Sequence, residues 1–269
     1  MGDLNHYVIR GGLQGRERLK VLARVMHKST SALFDRIGIE SGLSCLDIGC
    51  GSGDVTLELA RRVGSQGRVV GADIDQTKLD LAGDEAKALD LRNVEFRNVD
   101  IRKPPSQPSF DLVYARFLLT HLSDPAGAVE CFYKHLKPGG IVIVEDIDFS
   151  GHFVEPPCKA FDRYVELYCD VVRKRGGHPN IGPRLPLLLK VAGFVDVGVN
   201  IVQPMALEGE TKLVTPLTME NIGDAAIAEG LTTKEEVGEI VSALYEYAED
   251  QSTLAGLPRI VQSWGKRVH

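Results

Sequence analysis

Residues 43–60 constrain the fold of this chain more than any other stretch. An apolar run ends at Asp47, and glycines then occupy three alternate positions, Gly49, Gly51 and Gly53. Apolar residues recur at helical spacing after the last of them. A buried strand, a tight turn and a helix in that order form the opening unit of a doubly wound α/β sheet. Glycine in the turn permits positive φ and lets a ligand lie against bare backbone.

Composition excludes several classes of protein. The 269 residues carry a net charge of −6, and no basic run is longer than Arg173-Lys174-Arg175, so nucleic acid is not an expected partner. The five cysteines form no C-x-x-C pair, which indicates reduced thiols in a cytoplasmic protein and predicts neither a disulfide frame nor a metal site. We expect no signal peptide, because Asp3 and Arg10 have no apolar core between them, and no membrane association, because no apolar run approaches about 20 residues.

Four further segments continue the alternating pattern of strands and helices. Strands are predicted at residues 68–75, 94–101, 110–116 and 141–146, and three of them end in acids. A helix is predicted from Gln76 to Ala88, with Asp75 as its N-cap. Another is predicted from Ala126 to Leu136, and Lys137-Pro138-Gly139-Gly140 would end it.

This arrangement resembles the class I S-adenosylmethionine-dependent methyltransferases, in particular those acting on quinones and other small molecules. The resemblance rests on Asp47-x-Gly49-x-Gly51-x-Gly53, on the acid-ended second and third strands, on Phe110-Asp111-x-Val113 and on Leu-Lys-Pro-Gly-Gly at 136–140. It covers residues 43 to about 145. The dinucleotide-binding pattern G-x-G-x-x-G differs in spacing, and an acid beside the turn suits a ligand with an ammonium and a sulfonium better than a pyrophosphate.

The resemblance implies S-adenosylmethionine as cofactor, S-adenosylhomocysteine as product and a set of binding residues. Asp73 would accept hydrogen bonds from the ribose hydroxyls, with helix capping as the alternative, and Asp100 would accept one from the adenine amino group. Tyr7 and Arg18 in the N-terminal arm would close on the cofactor, or would be an ordinary packing tyrosine and surface arginine. The complete implied set is Tyr7, Arg18, Asp47, Gly49, Cys50, Gly51, Gly53, Asp73, Ile74, Asp100, Ile101 and Arg116.

Two histidines are the catalytic candidates. His121 occupies the place where related methyltransferases carry a histidine before L-x-D-P, and it would line the cavity between sulfonium and acceptor; the alternative is a histidine that holds the loop. His178 lies in a glycine-rich loop that would form the rim of the site, or would be a surface connection without ligand contact. The remaining candidate bases are Tyr7, His152 and the Glu145/Asp146 pair.

The predicted architecture is a seven-stranded, mostly parallel, Rossmann-like sheet with helices on both faces. Residues 1–40 would form a helical arm and 41–269 the cofactor-binding domain, with helical cap insertions at about 152–184 and 211–255. The sixth strand is expected at 194–202 and the seventh at 259–267, and helix is expected from His152 to Lys174. No internal repeat is present.

The predicted reaction moves a methyl group to an O, N or C atom of a small-molecule acceptor. Two alternatives stay open at this point: a protein that binds S-adenosylmethionine without transferring its methyl group, and an NAD-linked oxidoreductase. A homodimer is possible.

Overall fold

The computed structural model describes residues 12–100 and 109–268. Within these ranges the chain forms eight α-helices and ten β-strands. The helices are α1 (Gly12–Ile37), α2 (Asp54–Val63), α3 (Gln76–Ala88), α4 (Pro125–His135), α5 (Lys159–Lys174), α6 (Leu185–Val191), α7 (Glu210–Ala228) and α8 (Lys234–Glu249). The strands are β1 (Ser44–Ile48), β2 (Arg68–Asp73), β3 (Val94–Asn98), β4 (Phe110–Arg116), β5 (Leu136–Asp148), β6 (Phe153–Glu155), β7 (Val195–Val202), β8 (Met205–Ala206), β9 (Leu254–Gly256) and β10 (Arg259–Lys266).

Seven strands form one sheet in the order β3-β2-β1-β4-β5-β10-β7. The first five pair in parallel, and β10 is antiparallel to both of its neighbours. This confirms the predicted doubly wound, mostly parallel sheet. The last strand does not close the sheet at its edge, because β10 lies between β5 and β7.

The prediction that residues 137–140 end a helix is wrong in one respect. Helix α4 already ends at His135, and β5 begins at Leu136. The register against β4 slips between the pairs Phe110–Leu136 and Leu112–Ile141, so the Lys-Pro-Gly-Gly segment is a bulge within the strand. The Nζ atom of Lys137 lies 2.9 Å from both carboxylate oxygens of Asp111, and Asp111 Oδ2 also accepts the backbone N–H of Ser44.

Two apolar layers cover the sheet. One face packs against α4 and α6, with Phe132 and Leu189 as buried members. The other face packs against α2 and the C-terminal half of α1, where Phe34 is fully buried. Hydrophobic burial on both faces is the arrangement that parallel sheets require.

A helical cap lies over the carboxyl ends of the strands. Helices α5, α7 and α8 share a third core with the N-terminal half of α1, so α1 extends from the cap to the sheet. A small antiparallel sheet of order β6-β9-β8 borders the cap. The expected helix from His152 begins instead at Lys159, because Phe153–Glu155 pairs with β9 as a strand. No helix in the described ranges is long and apolar enough to cross a bilayer.

Candidate functional site

A cavity of about 910 Å³ lies between the carboxyl ends of the parallel strands and the cap. The chain runs outward from β1 to β3 on one side and through β4 and β5 on the other, so the sheet reverses its winding beside β1. Ligands of open α/β sheets bind at such a switch point, outside the carboxyl ends of the strands. One end of the cavity reaches the glycine turn after β1, and the other reaches the aromatic side chains of the cap.

The three glycines of the turn have different neighbours. All have positive φ, +69° at Gly49, +54° at Gly51 and +82° at Gly53. A Cβ at Gly53 would lie 2.8 Å from the Cβ of Ala82, so this glycine allows the turn to pack against α3. At Gly51 the nearest atom to an added Cβ is Leu19 Cδ1 at 3.4 Å, and Gly51 borders the cavity. Gly51 is therefore the turn residue whose missing side chain leaves room for a ligand.

The carboxylate of Asp73 connects the glycine turn to the end of β2. Its Oδ2 accepts the backbone N–H of Gly51 at 2.9 Å, and its Oδ1 accepts that of Asp75 at 3.0 Å. Asp73 borders the cavity, and an ionised carboxylate has about four acceptor sites, so these two bonds leave capacity for a ligand. The capping alternative belongs to Asp75, whose side chain accepts the N–H of Lys78 and confirms its predicted N-cap role.

The other side chains expected at this end have the following positions. Ile74 borders the cavity and is 45% exposed, so it offers an apolar surface to a flat ligand. Asp100 and Cys50 also border it. Ile101 and Tyr7 lie outside the described residues.

Asp47 is buried behind the turn. Its Oδ2 accepts the hydroxyl of Thr56 at 2.6 Å. Burial raises the pKa of this carboxyl to about 6, and the nearby charge of Arg116 opposes the rise. Asp47 and Arg116 both border the cavity, so the carboxyl ends of β1 and β4 present a carboxylate and a guanidinium to a ligand.

Two arginines contribute positive charge to the same cavity. The side chain of Arg116 donates to Thr30 Oγ1 at 3.2 Å. Arg18, only 8% exposed, donates from Nε to Thr218 Oγ1 at 2.9 Å, which joins α1 to α7 across the cavity. Arg18 is therefore held within reach of a ligand by the cap and not by the sheet.

His121 borders the cavity on the turn that follows β4. The buried carboxylate of Asp146 accepts the backbone N–H of Thr120 at 3.1 Å and fixes this turn. Burial lowers the pKa of His121 to about 3, and the positive charges of Arg18 and Lys78 add to the effect. The ring is therefore neutral at physiological pH.

The lowered pKa gives a testable dependence of stability on pH. An exposed histidine in the unfolded chain binds a proton below about pH 6.5, whereas His121 stays neutral in the fold, so its share of the free energy of unfolding falls as pH drops. Between pH 7 and pH 5 the native protein should lose about 2 kcal/mol more than a His121→Asn variant. The raised pKa values of Asp47 and Asp146 act in the opposite direction but cancel in this comparison.

Urea unfolding at pH 7, 6 and 5 measures this difference. If the free energy of unfolding falls by the same amount in the two proteins between pH 7 and pH 5, His121 titrates in the fold as it does when exposed.

His178 is placed away from the cavity. Its backbone N–H donates to Thr120 O at 2.8 Å, and its carbonyl accepts the Thr120 hydroxyl at 3.0 Å. Asn180, in the same loop as His178, accepts the backbone N–H of Ser150. His178 is not among the described residues that border the cavity, so the placement favours a connecting loop over a catalytic rim.

The Glu145/Asp146 pair does not supply a base at the cavity, since both carboxylates face the protein interior. Glu145 is fully buried and accepts from Thr30, from the Tyr114 hydroxyl at 2.5 Å and from Gln262 at 2.7 Å. Neither acid is among the described residues of the cavity wall. Both acids are fully buried, which the continuous hydrophobic run of β5 did not reveal.

The cap end of the cavity was the part that sequence reasoning missed. Aromatic rings form its wall, and Phe149 stacks on Tyr168 with centroids 3.7 Å apart and planes 5° from parallel. Tyr164 and His152 lie beside them. The sequence predicted a helix over Tyr164 and Tyr168 but did not show that their rings border a cavity.

Comparison with known proteins identifies the family. Residues 39–181, a little over half of the chain, match the family described as "Methyltransferase domain". Over 133 residues the chain is 34% identical to the ubiquinone/menaquinone biosynthesis C-methyltransferase of Enterobacter sp. (strain 638), a match covering 49% of this chain and 52% of that protein. The chain thus spans about half the length of the curated relatives it matches.

Solved structures share the fold. Geranyl diphosphate C-methyltransferase of Streptomyces coelicolor A3(2), in complex with Mg²⁺, geranyl diphosphate and S-adenosyl-L-homocysteine, superposes with a TM-score of 0.56 at 18% identity, covering 93% of this chain and 84% of that one. The cyclase SpnF superposes with a TM-score of 0.54 at 21% identity, covering 90% and 81%. By its family match and its sheet, this chain belongs to the methyltransferase domain family of class I S-adenosylmethionine-dependent methyltransferases.

Proposed function

We propose that the protein transfers the methyl group of S-adenosylmethionine to an O, N or C atom of a small molecule. The observation that carries this proposal is one continuous cavity that joins the glycine turn to an aromatic chamber beneath the cap. A cofactor at the turn and an acceptor in the chamber would therefore meet without crossing solvent.

The residues at the turn suit the cofactor. Gly51 leaves space against bare backbone, and the half-buried Asp73 retains acceptor capacity for a diol. Ile74 offers an apolar surface for a purine, and Asp100 lies at the same end of the cavity. Asp47 and Arg116 supply one charge of each sign, which matches an amino acid group with an ammonium and a carboxylate.

S-adenosylmethionine, when bound, supplies a methyl group that is already activated on a sulfonium. The protein must then hold the acceptor in line, keep water out and accept a proton where the acceptor releases one. The cap helices α5 and α7 enclose the chamber, and neutral His121 can accept a hydrogen bond from a group placed there. Asp146 is a positioning residue, because it fixes the turn that carries His121.

Formation of S-adenosylhomocysteine from S-adenosylmethionine and a panel of phenols, amines and activated-methylene compounds tests the activity. Binding of S-adenosylhomocysteine without turnover of any acceptor would favour a non-methylating role; the structurally similar SpnF is a [4+2]-cyclase. A rise in melting temperature with NAD and none with S-adenosylhomocysteine would contradict the proposal. The possible homodimer stays a prediction, which sedimentation velocity tests.

Loss of the Asp73 carboxylate should weaken binding of the cofactor. We expect Asp73→Ala to reduce the affinity for S-adenosylhomocysteine by about 1–3 kcal/mol, because buried ligand hydroxyls would lose their acceptor. Isothermal titration calorimetry measures the change. Asp124→Ala is the matched control, since Asp124 also accepts a backbone N–H, that of Gly127, but is not among the described residues of the cavity wall. Unchanged affinity in Asp73→Ala would remove Asp73 from the site.

A further inference from the structure

His152 lies in a box of aromatic rings on the wall of the cavity. Its ring centroid is 4.3 Å from that of Phe149, 5.6 Å from that of Phe161 and 5.9 Å from that of Tyr164, all edge-to-face. These three neighbours are uncharged and at most 4% exposed. The box therefore fixes the plane of the imidazole in an apolar environment.

One hydrogen bond determines which nitrogen of His152 carries the proton. Nδ1 lies 3.1 Å from the carbonyl oxygen of Phe149. A carbonyl can only accept, so Nδ1 is the donor, and in a neutral ring Nε2 must then present a lone pair. Burial lowers the pKa of His152 to about 3, which keeps the ring neutral.

The lone pair on Nε2 is available to a ligand. Among the described residues, none forms a hydrogen bond with Nε2, whereas His152 itself borders the cavity. Because its neighbours in the box are aromatic, a ligand that contacts Nε2 also meets ring faces and edges. The chamber thus combines one fixed hydrogen-bond acceptor, His152 Nε2, with flat apolar walls.

We propose that His152 is a specificity-determining residue, whose Nε2 accepts a hydrogen bond from a hydroxyl of a flat methyl acceptor. This proposal rests on the proposed methyltransferase function and adds to that function a preference for acceptors that carry a hydroxyl. A hydroxyl satisfies the lone pair, whereas the corresponding methyl ether leaves it buried without a donor.

A matched pair of probes tests this hydroxyl preference in the protein loaded with S-adenosylhomocysteine. We expect 2-naphthol to bind about 10-fold more tightly than 2-methoxynaphthalene, the ordinary cost of one unsatisfied buried group. His152→Phe keeps an aromatic ring and should abolish the preference, while His152→Gln, which retains an acceptor oxygen, should restore part of it. The affinity for S-adenosylhomocysteine should stay within about 2-fold in both variants, since His152 belongs to the cap end.

His135→Phe is the control for loss of a partly buried histidine. Its Nε2 is buried without a hydrogen-bond partner among the described residues, and it does not belong to the described cavity wall, so the preference should survive its replacement. Side-chain ¹⁵N spectra of the native protein supply a readout independent of the probes. They should show His152 as the Nδ1–H tautomer, with a shift at Nε2 when 2-naphthol binds.

The outcomes separate the two proposals. If S-adenosylhomocysteine does not bind the native protein, the proposed function fails. If it binds but His152 is the Nε2–H tautomer, if His152→Phe keeps the preference, or if neither naphthalene binds, the assignment of His152 is overturned while the methyltransferase proposal stands.

Discussion

Gly51→Val is expected to weaken S-adenosylhomocysteine binding by more than about 100-fold while the protein remains folded. Leu19 Cδ1, 3.4 Å away, is the nearest atom to an added Cβ, so the branched side chain would extend into the ligand's volume. The residue also has φ +54°, where a side chain costs about 1–2 kcal/mol of stability. The loss of binding should therefore greatly exceed the loss of stability. Calorimetry and urea unfolding of the same preparation measure both.

Gly230→Val provides the matched control. Gly230 has φ +68°, follows α7 and has nothing within 4 Å of an added Cβ. Its replacement by Val therefore reports only the stability cost of a side chain at positive φ. We expect both variants to lose similar stability and only Gly51→Val to lose binding. Normal binding by Gly51→Val would mean that the glycine turn does not hold the cofactor.

Glu145→Ala is expected to destabilise the protein by about 3–5 kcal/mol, because three buried donors lose an acceptor and each such loss costs about 1–3 kcal/mol. The carboxylate is fully buried and serves three donors from three parts of the chain, Thr30 on α1, Tyr114 on β4 and Gln262 on β10. Removing it leaves these groups without their acceptor. The melting temperature should fall by roughly 10 °C.

Two variants test whether the network is responsible. Glu145→Gln retains one acceptor oxygen and should lose less stability than Glu145→Ala. Glu95→Ala removes an exposed carboxylate paired with Arg97 at 2.7 Å and should cost less than about 1 kcal/mol. A cost as small for Glu145→Ala would show that Thr30, Tyr114 and Gln262 find other partners.

Local patterns in the sequence predicted the fold well where each element specifies itself. Helix α3 and strand β4 begin and end at the predicted residues, because the Asp75 cap and the apolar run at 110–116 are local signals. The position of β10 was not predictable in this way, since its two neighbours are chosen by pairing across the chain. The bulge at residues 137–140 likewise depends on Asp111, 26 residues away from Lys137.

The same distinction holds for the candidate site: residues placed by a local motif were predictable, and residues placed by distant contacts were not. The glycine turn and Asp73 follow directly from motifs that end consecutive strands, so the sequence indicated their common position. His152 was one candidate among several, because its tautomer depends on the Phe149 carbonyl and its surroundings on helix α5. The role of Glu145 depends on donors as far as 117 residues away, which no local pattern reveals.

Helix α1 is synthesised well before the segments that it contacts in the folded protein. Arg18 bonds to Thr218 across 200 residues, Arg24 to Glu210 across 186, and Ser29 to Gln262 across 233. At a synthesis rate of about 5–20 residues per second, the partners of the helix emerge roughly 10–40 s after it. During that interval Val21, Leu22 and Met26, which the folded protein buries, lack the cap residues that cover them. The apolar face of α1 is therefore uncovered until α7 has been made, and the two ends of the cavity are joined only after that.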